Sequence, residues 1–155
     1  MNKRIAAALA LALAVSPANA IDKGKAKYIG GTLDVQEKAE GPIDLKDTEK
    51  LVFSPKKGTP AEIAWASVEE VEYGQKAGRR IKTAIFLSPL ALFGKSRKHY
   101  VTLSFKDGDG ADQAAVFEFD KNDIRQTLAV IKARTGKEIT MQDEEAAKQM
   151  GGDKK

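Results

Sequence analysis

His99-Tyr100-Val101-Thr102-Leu103-Ser104-Phe105, followed by Lys106-Asp107-Gly108-Asp109-Gly110 and then by a run from Asp112 to Phe119, is the stretch that decides the fold. Successive side chains of a strand point to opposite faces, so Val101, Leu103 and Phe105 share one side while Tyr100, Thr102 and Ser104 take the other. Ala115, Phe117 and Phe119 repeat the alternation on the returning run. Between them the Asp-Gly pairs tolerate the positive φ that tight turns need, which predicts a β-hairpin.

Upstream the same period of two recurs in short pieces. Ile29, Leu33 and Val35 predict a first strand with one apolar face after a polar leader, and Gly30-Gly31 inside it predicts a bulge or a close backbone approach. Ile43 with Leu45, Leu51 with Phe53, Ile63 with Trp65, and Val71 with Tyr73 mark further short strands. Glu37 to Gly41 and Asp47 to Lys50 read as turns, and Pro55 to Pro60 as a loop that two prolines keep out of a ladder. Downstream the period changes. Ile124, Leu128 and Ile131 lie at i, i+4 and i+7, which predicts a helix near 121–135 capped by Asp120 or Asn122 and stopped by Gly136. Residues 141–155 offer nothing to bury and are expected to form a mobile polar tail.

Six or seven antiparallel strands and one amphipathic helix imply a mainly β fold, a strongly bent sheet or barrel whose open end the helix plugs. Ile63-x-Trp65-x-x-Val68-x-x-Val71-x-Tyr73, with two hairpin strands and a C-terminal helix after it, resembles the pleckstrin-homology-like domains of bacteria and the related GRAM type. The run Val71 to Arg80, with Ser88-Pro89-Leu90, Arg97-Lys98-His99 and Ala133 to Lys137, is similar to a set of small exported bacterial proteins. The likeness covers roughly residues 26–139. It implies a fold and leaves the mechanism open, because such folds host many unrelated binding roles.

The N-terminus carries an address. Lys3 and Arg4 precede an Ala/Leu run from Ile5 to Val15, and Ser16-Pro17 breaks it before Ala18-Asn19-Ala20. This is the three-part pattern of a secretory signal peptide over residues 1–20, with an expected periplasmic or extracellular product beginning at Ile21. The apolar core is too short for the ~20 residues that span a bilayer. Cleavage removes two of the 26 basic residues and none of the 22 acidic ones, so the net charge falls from +4 to +2. So balanced a chain gives no global argument for a nucleic-acid partner. Without cysteine there are no disulfides and no thiolate chemistry.

Catalytic patterns are missing from the sequence. A single histidine, His99, cannot build a histidine metal cluster or a serine triad, and its place at a strand start suggests a solvated edge residue. Asp107 and Asp109, with Glu118 at the twelfth position, resemble a calcium loop in part, yet Ala111 and Asp112 stand where a ligand and the glycine belong. Glu69 and Glu70 are sequence neighbours and point to opposite faces of a strand, so they cannot share a proton. Trp65 and Tyr73 alternate inward and are expected in the core. No cofactor or metal is expected.

One segment stands apart. Ala84-Ile85-Phe86-Leu87-Ser88-Pro89-Leu90-Ala91-Leu92-Phe93 is apolar but for Ser88, with Arg79, Arg80 and Lys82 before it and Lys95, Arg97 and Lys98 after it. Ten residues cannot cross a bilayer as a helix, and Pro89 interrupts a ladder. The expectation is a non-enzymatic module whose Phe86, Leu87, Leu90, Leu92 and Phe93 enter a membrane interface while the six cations meet anionic headgroups. The alternatives are a protein partner, a second copy among them, reached by this segment or a strand edge, burial in the protein's own core, and, last, a hydrolase or transferase working through Asp, Glu or Lys.

Overall fold

A computed structural model describes residues 24–75, 98–142, 147, 148 and 151. Among them are β1 (Gly24–Gly31), β2 (Glu40–Asp44), β3 (Lys50–Phe53), β4 (Ala61–Ala64), β5 (Val68–Gly74), β6 (His99–Lys106), β7 (Asp112–Phe119), α1 (Ile124–Thr135) and β8 (Ile139–Met141), with a single 3-10 turn at Trp65–Ser67 between β4 and β5. Among the described residues the fold is mainly β with one helix, which ends where expected. Its sheet departs from expectation in three ways. It has eight strands rather than six or seven, it is mixed because β8 runs parallel to β5, and it is open, in the order β4-β3-β2-β1-β7-β6-β5-β8, rather than closed as a barrel.

The hairpin that anchored the reading forms as predicted, from His99 opposite Phe119 to Lys106 opposite Asp112. Its turn is held by Asp107. One carboxylate oxygen accepts the backbone N–H groups of Asp109 and Ala111, each at 2.9 Å, and Gly110 supplies a positive φ of 81°. This is a turn built on an aspartate side chain.

The sheet bends over a single core. The Phe53 ring on β3 and the Phe117 ring on β7 lie with centroids 5.3 Å apart, although β2 and β1 stand between their strands. In a flat sheet three strand spacings would separate them by about 14 Å. Tyr28 packs edge-on against Phe117 at 5.7 Å, and Val71, Tyr73, Val101, Leu103, Trp65 and Val68 complete the cluster. Trp65 keeps its indole N–H satisfied, donating to the Asp47 carbonyl at 2.9 Å.

The helix closes this core with Ile124, Leu128 and Ile131. It starts later than expected. Asp120 opens a turn, its carbonyl accepting the amides of Asp123 and Ile124, and Asp123 holds the N-cap position without a side-chain bond. The expected stop is in place, with Gly136 in the left-handed region (φ 67°) donating to the Lys132 carbonyl.

Two local readings are corrected. β1 starts at Gly24, inside the presumed leader, and ends at Gly31, so Leu33 and Val35 lie beyond it. Ala26 and Tyr28 face the core instead of Ile29. The reason is the bulge that the glycine pair suggested: the β1–β7 register shifts between Tyr28 and Gly30. Gly31, at φ 137°, brings its α-carbon so close to β7 that a β-carbon would fall 2.1 Å from the Ala114 carbonyl oxygen. At the other end, Met141 and Gln142, assigned to the tail, join the sheet. Met141 pairs opposite Tyr73, and the Gln142 amide donates to the Tyr73 carbonyl at 2.9 Å.

The β1–β7–β6 part is buried on both faces. Ile29, Tyr100, Thr102, Ala114 and Val116 are nearly inaccessible, although none belongs to the core cluster.

Candidate functional site

Strand register gathers several exits of the chain at one end of the sheet. Phe119 at the end of β7 lies opposite Ala26 near the start of β1 and opposite His99 at the start of β6. Tyr100 lies opposite Gly74 at the end of β5, and Tyr73 opposite Met141 at the end of β8. The described chain therefore begins at this end, leaves it at Gln75, returns at Lys98 and departs again beyond Gln142.

Of the predicted contact residues, Arg79, Arg80, Lys82, Phe86, Leu87, Leu90, Leu92, Phe93, Lys95 and Arg97 lie outside the described residues. The structure places Lys98. Its ammonium donates to both oxygens of Glu118, at 2.8 and 3.1 Å, with the carboxylate side chain only 19 % exposed. That hydrogen bond holds the Lys98 pKa above its ordinary value. Lys98 thus fixes one root of the segment to β7.

Beside this pair runs a groove of about 540 Å³ that sequence reasoning missed. Ala26, Pro42 and Phe119 give it apolar surface, and Lys25, Lys27, Lys56, Glu40 and Glu118 give it charge. Glu40 receives Lys27 at 3.3 Å and Lys56 at 3.6 Å, and the Lys27 hydrogen bond is the largest influence lowering its pKa. The pairing Lys27 opposite Glu40 on one side and opposite Glu118 on the other creates this charge ladder. No local period could have revealed it, because the three residues come from three strands.

His99 is the clearest correction among the chemical residues. Expected at a solvated edge, it is 5 % exposed, and its Nδ1 lies 2.6 Å from the hydroxyl of Tyr73. The two rings are parallel within 3°. Burial, and secondarily the charge of Lys121, lowers the His99 pKa. Gln75, next on the same face of the chain after Tyr73, is also buried, and its amide oxygen has no hydrogen bond among the described residues. Trp65 and Tyr73 lie in the core, as their alternation predicted.

Among the described residues no three His, Asp or Glu side chains group as metal ligands, and no helix is long and apolar enough to cross a membrane. In comparisons with known proteins, no family model and no curated protein matches this chain.

Proposed function

We propose that the protein is an exported, non-enzymatic binding module of pleckstrin-homology-like architecture that docks to an anionic membrane interface through residues 79–98. The observation that carries the reading is the pairing of Gly74 with Tyr100. It brings the described ends of the segment, Gln75 and Lys98, within about one strand spacing at one end of the sheet, and because Glu118 holds Lys98, five cations are left to meet headgroups. Holding the two ends of a segment close together lowers the entropy lost when it is ordered on a surface. Phe86, Leu87, Leu90, Leu92 and Phe93 would each contribute about 1.5–3 kcal/mol if fully buried. Each cation adds ~1 kcal/mol near an anionic leaflet. Exposed Lys25 and Lys121 lie at the same end, beside the exposed carboxylate of Asp120.

The test is sedimentation of the mature protein with vesicles containing anionic lipid. Binding that weakens with salt and is lost in Phe86→Asp with Leu90→Asp, while the variant stays folded, supports membrane docking. Unchanged binding in that variant overturns it. If the double variant unfolds in the absence of lipid, the segment instead belongs to the protein's own interior, for which the buried outer side of β6 and β7 provides a surface.

The open sheet favours a second reading. Among the described residues β4 and β8 are the edge strands, and an edge can accept a strand from another protein or a second copy. Mass that rises with protein concentration in the absence of lipid separates this reading from the first.

A further inference from the structure

The buried pair at the roots of residues 76–97 carries an inference that does not depend on what this end of the sheet docks to. We propose that Tyr73 and His99 form an acid-sensitive clamp between the end of β5 and the start of β6, tight when the imidazole is neutral and loosened when it is protonated.

The geometry is that of a hydrogen bond across two strands. Tyr73 is fully buried on β5, His99 opens β6, and 2.6 Å separates hydroxyl from Nδ1. With the hydroxyl donating, Nδ1 accepts and the ring proton sits on Nε2. A protonated ring carries hydrogen on both nitrogens, so the Tyr73 hydroxyl can no longer donate to it and must turn its proton elsewhere.

The surroundings penalise the added charge. From the β7–α1 turn the facing charge is the Lys121 ammonium, and from β5 the facing titratable group is the neutral Tyr73 phenol. β7 presents Phe119 opposite His99, while its carboxylate Glu118 lies on the other face with Lys98. On β6 itself the neighbouring Tyr100 also points to that other face. Burial with no countercharge facing the ring among the described residues opposes the charged form. The pair is therefore preserved above the ordinary histidine value of about 6.5 and is lost as the pH falls through the lower folded value. Histidine is the side chain that titrates nearest neutrality, so modest acidity is enough to work the clamp.

The experiment follows the single histidine by NMR in the wild-type protein, with hydrogen exchange recorded across the same pH series. The expected titration midpoint lies below 6.5. Below it, the amides of residues 73–75 and 99–101 should lose protection while those of β3 and β4 keep theirs. Tyr73→Phe, which retains the ring, should move the midpoint upward, because the neutral imidazole loses its donor. A midpoint at the ordinary value overturns the proposal. So does protection at the β5–β6 end that is indifferent to protonation. Both readouts come from the wild-type chain, so the outcome stands even where the variant fails to fold.

Discussion

Replacing Phe53 and Phe117 by leucine, singly and together, measures whether β3 and β7 meet across the bent sheet. Both rings are fully buried, and their centroids are 5.3 Å apart at a tilt of 58°. Each single change removes a buried ring and is expected to cost about 1–3 kcal/mol. Aromatic pairs at this separation contribute roughly 0.5–1.5 kcal/mol beyond the burial of their areas. The double variant should therefore be more stable than the sum of the singles predicts, by about that amount, because the second change removes a contact already lost. Urea unfolding provides the assay, with an unchanged m-value showing that the denatured state is the same in all four proteins. Additivity within about 0.3 kcal/mol would refute the bend, since residues about 14 Å apart in a flat sheet should not couple.

Three further outcomes follow from local geometry. Gly31→Ala places a methyl 2.1 Å from the Ala114 carbonyl oxygen at φ 137° and should lower stability by at least about 1–3 kcal/mol, whereas Gly108→Ala, with nothing within 4 Å, should be neutral or slightly stabilising; thermal unfolding of the two variants checks the contrast. Burial raises the Tyr28 pKa from 10.0 to about 12, so its contribution is intact below pH 10 and is lost as the pH rises through 12. Tyrosinate absorbance should show late ionisation, and Tyr28→Phe should diminish it while leaving the share of Tyr100, whose pKa burial also raises. The Asp107 carboxyl lies below its ordinary value, chiefly through the Ala111 amide, so its contribution is present above about pH 4 and disappears as the pH falls through the lower folded value. The difference in Tm between wild type and Asp107→Asn should shrink over that acid range.

The roots of the proposed docking segment were legible only in part. The apolar run and its basic flanks are read directly from residue order, but their convergence depends on Gly74 meeting Tyr100, which is a matter of register. The charge-lined groove joins Lys27, Glu40 and Glu118 from three strands, and none of the three is unusual in its own neighbourhood. The burial of His99 is hidden from the sequence for the same reason. A strand start is usually wet, and only the diagonal approach of Tyr73 from β5 shows that this one is dry.

Local periodicity by itself determined the β6–β7 hairpin, its Asp107 turn, the apolar face of the helix and the Gly136 stop, because each depends on residues a few positions apart. The tertiary structure decided the rest: the open edge at β4, the parallel pairing of β8 with β5, the shift in β1 that turned Tyr28 inward, and the contact between Phe53 and Phe117. Such features arise from register and sheet curvature. A pattern of alternation states which side chains share a face, but the partner of that face is chosen only when distant strands pack.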